Sequence, residues 1–154
     1  MQTNFKKNQL LDPEIENSEK IFRKCVHCGM CNATCPTYKI LGDELDGPRG
    51  RIYMIKDMLE NNKPASKKIV KHIDRCLSCY ACLTTCPSGV DYMHLIDHGR
   101  NHIERTYNRP IFERLLRAML AYVLPKPKLF KFLSKIVSFT KPLHFLLPKK
   151  IKQI

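Results

Sequence analysis

An all-α domain is the fold class this sequence predicts, and three observations predict it. No stretch of useful length alternates apolar and polar residues with period two, so a half-buried strand has no pattern to form on. Apolar residues recur instead at three- and four-residue spacing, between prolines and short polar residues that start and stop helices. A cysteine-rich segment also occurs twice, CVHCGMCNATCP from Cys25 and CLSCYACLTTCP from Cys76, and the span between the copies reads as helices, not hairpins.

The elements follow in order. Asp12 caps and Pro13 opens a first helix, whose apolar positions Ile15, Ile21 and Phe22 lead to Cys25. Pro36, directly after the last cysteine of the first copy, reads as a stop that turns the chain, as does Pro87 after the second. GDELDGPRG from Gly42 reads as a turn-rich loop, after which Pro48 opens a helix through Ile52, Met54, Ile55 and Leu59 that ends at Asn61, Asn62 and Pro64. A helix from Ala65 to Asp74 presents Ile69, Val70 and Ile73 on one face and delivers the chain to Cys76. Asp91 to Tyr107 is a long helix, and Pro110 begins another through Phe112, Leu115, Leu116 and Met119, broken at Pro125 and Pro127.

With 154 residues and 44% hydrophobic content, the chain suits one globular unit with its own core. The net charge of +13 is unevenly spread: the segment from Arg114 to Ile154 holds two Arg and eight Lys with no carboxylate. Such an excess answers an acidic partner, whether nucleic acid, anionic lipid or an acidic protein face. The start, MQTNFKKNQL, lacks the apolar core of a signal peptide, and no uncharged apolar run approaches the ~18 residues of a membrane span. A cytoplasmic location is therefore expected, and in a reducing compartment eight cysteines point to metal or redox chemistry before disulfides.

Every cysteine of the first copy recurs at an offset of 51, as do Thr34 at Thr85 and Pro36 at Pro87. The spacing, with two, two and then three intervening residues before Cys-Pro, is that of bacterial proteins that bind two four-iron, four-sulfur clusters through thiolates. In that pattern three close cysteines wrap one cluster while the fourth ligates the other. The expected ligands are Cys25, Cys28, Cys31 and Cys86 for the first cluster, and Cys76, Cys79, Cys82 and Cys35 for the second. Paired zinc sites are the bland alternative, but structural zinc uses separated Cys-x-x-Cys knuckles. Positive groups favour the more negative reduced clusters, and Lys24, Arg49, Arg51 and Arg75 stand near the cysteines in sequence, with ordinary solvated charge as the competing account of each.

His94, His98 and His102 share one helix face at four-residue spacing. A metal-binding role is open, but the favoured reading is the polar face of an amphipathic helix whose Met93, Ile96 and Ile103 point inward. His27, inside the first cysteine loop, reads as an exposed spacer. No residue outside the cysteines is singled out as catalytic.

Two long stretches, CVHCGMCNATCPTYKILGDELDGPRGRIYMIKDMLE from Cys25 and CLSCYACLTTCPSGVDYMHLIDHGRNHIERTYNRP from Cys76, resemble the iron-sulfur subunit of glycolate oxidase, also called glycolate dehydrogenase; LLRAMLAYVLP extends the likeness more loosely to Pro125. The resemblance implies the N-terminal, α-helical ferredoxin portion of that subunit, passing electrons from a flavin-bearing partner that oxidises glycolate to glyoxylate. The family's subunit is longer and carries further paired cysteines, which are absent after Cys86. D-lactate, glycerol-3-phosphate and heterodisulfide-reductase-type electron carriers share the cysteine pattern, and a nucleic-acid-binding regulator is the reading from another class. No helix-turn-helix accompanies the lysines, so nucleic acid is not expected.

The expected organisation is a two-cluster ferredoxin domain over 1–109 and a helical basic tail over 110–154. In the tail Leu129, Phe132, Leu133 and Ile136 take helical spacing opposite Lys128, Lys131 and Lys135, a basic amphipathic pattern suited to a partner subunit or to the inner face of a membrane.

Overall fold

The computed structural model describes residues 1–139, and the chain divides into two compact units, Met1–Asn108 and a second beginning at Arg109. Among the described residues there is no β-strand, so the all-α expectation holds there.

In the first unit α1 (Pro13–Lys24) starts where Asp12 accepts a hydrogen bond from the Glu14 amide. A short 3-10 helix, Met30–Thr34, crosses the first cysteine segment, and α2 (Pro36–Leu41) follows at once. The short helix stops ahead of Pro36 as expected, and Pro36 in addition starts the next helix. Its fixed φ and missing N–H suit the first turn, where that donor has no intrahelical acceptor. The segment expected as a loop contains one 3-10 turn, Glu44–Asp46, before α3 (Pro48–Glu60). Then come α4 (Lys67–Asp74), capped by Ser66, α5 (Ala81–Thr85) inside the second cysteine segment, and α6 (Tyr92–Thr106), capped by Asp91.

The core lies where α1, α3 and α4 pack on α6. Phe22, Ile55, Met58, Ile73, Leu95, Ile96 and Ile103 are fully enclosed, and each such side chain contributes roughly 1.5–3 kcal/mol relative to exposure. Gly99 lets α6 approach α3 closely, because a Cβ there would stand 2.8 Å from Cγ1 of Ile55. Met93, expected to point inward, is exposed; one helical residue away from Tyr92, it falls outside the stripe that Leu95, Ile96 and Ile103 define.

The histidine row is not a solvated polar face. His98 Nδ1 shares a 2.6 Å hydrogen bond with the buried Ser18 hydroxyl of α1, and His94 Nε2 lies 3.3 Å from the same oxygen. His102 Nε2 donates to the Lys63 carbonyl at 2.8 Å. Burial pushes the His98 imidazole below its usual range. These rings tie α6 to its neighbours.

The second unit contains α7 (Ile111–Val123), which buries none of its residues, and α8 (Pro127–Phe139), which packs on it. Lys128, Lys131 and Lys135 are exposed, Leu129 is half-buried, and Phe132 and Leu133 are exposed. The part of the basic tail from residue 140 onward, and the side chain of Ile136, lie outside the described residues. No helix among the described residues is long and apolar enough to cross a membrane.

Candidate metal centre

The two cysteine segments fold alike. The residue two past the first cysteine, His27 or Ser78, has a φ of 57° or 51°, and the one after the second cysteine, Gly29 or Tyr80, has 80° or 56°. Three of these four are not glycine, and each such residue in the left-handed region costs about 1–3 kcal/mol, strain that accumulates at functional sites. Backbone that passes through this region turns successive N–H groups to one side, forming the concavity that anions and iron-sulfur groups occupy. The copies meet where the Met30–Thr34 turn packs on α5: the hydroxyls of Thr34 and Thr85, equivalent residues, are 3.3 Å apart, and Thr34 also donates to the Ala81 carbonyl at 3.4 Å.

All eight cysteines are unpaired. One cavity is lined by Cys25, Cys28, Cys31 and Cys86, together with Pro48, Arg49, Ile52 and Val90; Cys82 also touches it. A second is lined by Cys35, Cys76, Cys79 and Cys82, with Thr37, Arg51, Tyr80 and Tyr92. The first cavity thus takes three cysteines from the first copy and Cys86 and Cys82 from the second, the second takes three from the second copy and Cys35 from the first, and Cys82, Pro48 and Tyr92 line both. Cys28 and Cys79 stand exposed at the lips, while Cys25, Cys35 and Cys82 are buried.

Burial raises the Cys31 thiol above its usual range, and the nearby Cys25, Cys28 and Cys86 add to it. Cys82 is pushed up to about 12, by burial first and then by Cys31, Cys76 and Cys35. Without iron such thiols keep their protons. Cysteines lining each of two small concavities, with Cys82 bordering both and no disulfide to compete, form a donor set that fits four-iron, four-sulfur clusters.

Of the four cations singled out by position, only Arg51 reaches a cysteine sulfur among the hydrogen bonds of the described residues. Arg51 is 1% exposed, and its Nη1 donates to Cys35 Sγ at 3.9 Å, Nη2 to Thr37 Oγ1 at 3.1 Å and Nε to the His72 carbonyl at 2.7 Å. Arg49 lines the first cavity but is held by Glu44 at 2.6 Å, which Asn32 braces in turn at 3.0 Å. Arg75 donates to Asp46 at 2.8 Å, and Lys24 is exposed at the end of α1. His27 is half-buried with its ring edge-on to Tyr53, so it is more than an exposed spacer.

Sequence reasoning missed Asp46, His72 and Tyr92. Asp46 is fully buried and accepts from His72 Nδ1 at 2.9 Å and from Arg75, with Arg51 Nη2 at 3.7 Å. Burial alone would raise its carboxyl, but the hydrogen bonds from His72 and Arg75 outweigh that and hold it below the usual range. Asp43, Asp46 and His72 bring ligand-type atoms close together, yet Asp46 is already engaged by the guanidinium groups, which repel a cation. The Tyr92 hydroxyl donates to Cys76 Sγ at 3.5 Å, and burial, then Cys76, raises its own pKa well above the ordinary phenol.

Residues 21–90, which include all eight cysteines, match the family described as 4Fe-4S dicluster domain. The chain is 47% identical over 152 residues to the glycolate oxidase iron-sulfur subunit of Escherichia coli (strain K12), covering 99% of this chain and 36% of that one. It is 35% identical over 94 residues to the probable glycolate oxidase iron-sulfur subunit of Bacillus subtilis (strain 168), covering 60% of this chain and 21% of that one. A weaker match, 26% identical over 125 residues, is to lactate utilization protein B of Exiguobacterium sp., covering 75% of this chain and 25% of that protein. The chain therefore spans about a third or less of the length of these curated relatives. No solved structure matches it significantly. This chain thus carries a 4Fe-4S dicluster match over all eight cysteines and is similar along nearly its whole length to about a third of a glycolate oxidase iron-sulfur subunit's length.

Proposed function

We propose that the chain holds two four-iron, four-sulfur clusters and relays electrons, one at a time, from a flavin-bearing subunit that oxidises glycolate to glyoxylate. Cys25, Cys28, Cys31 and Cys86 hold one cluster; Cys76, Cys79, Cys82 and Cys35 hold the other. The observation that carries this reading is that all eight cysteines line two adjoining cavities, Cys82 bordering both, with the fourth cysteine of each segment lining the opposite one.

Bound clusters supply one-electron redox chemistry, which suits a flavin that receives electrons in pairs. The chain's own residues fix the sulfurs, exclude water from Cys25, Cys35 and Cys82, and leave Cys28 and Cys79 at the surface where partners approach. Oxidation of a hydroxy acid removes two electrons together, which suits the flavin of the partner, whereas the cysteine sites of this chain suit one-electron relay. Residues 1–109 form the cluster-bearing domain, and 110–154 a helical basic tail that faces a partner subunit or, at the cytoplasmic surface, anionic lipid. The likeness to a lactate utilization protein supports a second reading, in which the partner oxidises lactate.

The test mixes the anaerobically purified chain with the flavin-bearing subunits and follows the brown cluster absorption. Glycolate should bleach it in the mixture and leave the chain alone unchanged. Intact clusters that stay oxidised with both glycolate and D-lactate, beside a competent flavin, refute the assignment.

A further inference from the structure

We infer that Arg51 and Tyr92 raise the reduction potential at the Cys35, Cys76, Cys79 and Cys82 site above that at the Cys25, Cys28, Cys31 and Cys86 site, so that an electron entering the chain comes to rest at the former. The inference rests on the two-cluster reading above.

The repeat makes the two sulfur sets equivalent in sequence, but their surroundings are not. At the second site Arg51 donates to Cys35 Sγ at 3.9 Å and the Tyr92 hydroxyl donates to Cys76 Sγ at 3.5 Å. Thr37 Oγ1 also lies 3.2 Å from Cys35 Sγ, but its proton goes to the Asp46 carbonyl at 2.7 Å, so it is not counted as a donor. At the first site no described side chain donates to the sulfur of Cys25, Cys28, Cys31 or Cys86; the nearest such contact runs the other way, from Cys31 Sγ to Asn32 Oδ1 at 3.9 Å.

Fixed charge adds to the difference. Arg49 lines the first cavity, but Glu44 at 2.6 Å opposes its charge one for one. Arg51 and Arg75 share a single carboxylate, Asp46, which leaves a positive balance behind the second site; the N-terminal ammonium at the Cys25 carbonyl and Arg100 at the Cys76 carbonyl add one cation beside each site and leave that difference in place. Arg51 is buried, so water and salt screen it little.

Reduction adds one negative charge that spreads onto the sulfurs, and hydrogen bonds and cations that face those sulfurs stabilise the reduced form more than the oxidised one. Passage from one site to the other moves one electron: the first site is oxidised, the second reduced, and no bond is made or broken. Both donors arise outside the cysteine segments, Arg51 from α3 and Tyr92 from the first turn of α6. They break a symmetry that the repeat alone would impose.

The experiment is an anaerobic redox titration of the full chain followed by electron paramagnetic resonance. The two signals are assigned with Cys28→Ser and Cys79→Ser, which alter one exposed ligand of each site. In the wild type the Cys79-dependent signal should appear at the higher potential. Tyr92→Phe removes one hydroxyl and keeps the buried ring; it should lower the reduced-to-oxidised ratio of that signal about tenfold at a fixed potential, a shift of ~59 mV for a one-electron couple. Arg51→Gln should shift it further, and because that variant also unbalances Asp46, Tyr92→Phe carries the decision if it fails to fold. The Cys28-dependent midpoint should stay put in both. Two assembled clusters with the opposite order of potentials, or with a Tyr92→Phe midpoint that does not move or moves at the Cys28-dependent site, overturn the inference and leave the two-cluster reading standing. A chain without iron and sulfide overturns both.

Discussion

Replacing Asp46 by Asn isolates the buried polar network beneath the second cavity. The carboxylate is fully enclosed and takes hydrogen bonds from His72 at 2.9 Å and Arg75 at 2.8 Å, with Arg51 at 3.7 Å. The amide keeps one acceptor and turns an NH2 group toward a guanidinium, so one donor loses its partner and Arg51 loses its counter-charge. Removing one member of a buried ion pair costs about 3–5 kcal/mol, chiefly because the remaining charge stays buried and uncompensated. With a urea dependence of about 1–3 kcal/mol per molar, the unfolding midpoint should fall by at least ~1 M. The assay is anaerobic urea denaturation of the complete chain, followed by far-ultraviolet circular dichroism, with Glu16→Gln as the control because its Lys20 pair is exposed and contributes little. An Asp46→Asn midpoint within experimental scatter of that control would refute the view that this network supports the site.

Three further outcomes are expected. Because Asp46 has a depressed carboxyl in the folded chain, its contribution is complete above the unfolded value of about 3.9 and disappears as pH falls through the lower folded value. The gap between wild type and Asp46→Asn should hold from pH 7 to about 5 and close only in strong acid, as equilibrium unfolding at stepped pH would record. Cys35→Ser should disturb the paramagnetic signal that depends on Cys79 and leave the one that depends on Cys28, a result that the opposite loss would contradict. In chain stripped of metal, iodoacetamide should label exposed Cys28 and Cys79 early, whereas Cys82, raised from 9.0 to about 12, should lag; three pH units reduce its thiolate about 1000-fold against an unperturbed thiol, before its burial is counted. Mass spectrometry of timed digests reads the order.

The helices were legible because their signals are local. Asp12 with Pro13, Ser66 and Asp91 each cap a helix with their own side chain or ring, and Pro48 opens one. The grouping of cysteines rests on spacing; in the structure Cys86 lines the cavity of Cys25, Cys28 and Cys31, Cys35 lines that of Cys76 and Cys79, and Cys82 borders both. What was not legible depends on residues distant in the chain. Asp46 meets His72 and Arg75 only after α4 has folded back beside the Glu44–Asp46 turn, and nothing in GDELDGPRG marks its acid as buried. Tyr92 carries no motif, and its role depends on where α6 starts relative to Cys76. Pro36 shows a different limit: a proline after a cysteine is compatible with the end of one element and the first turn of the next, and only the residues that follow decide.

The contact between Thr34 and Thr85 sets how the two halves of the site respond to each other. Because equivalent short helices abut there, and because Cys31 and Cys82 lie close enough for each to disfavour charge on the other, the interior sides of the two cavities are adjacent while Cys28 and Cys79 mark their outer edges. A charge gained at one centre is therefore felt at its neighbour. On the proposed two-cluster reading, the first electron should make the second harder to add, so such a pair would carry one electron at a time between Cys28 and Cys79 at the surface, and serve less as a store for two.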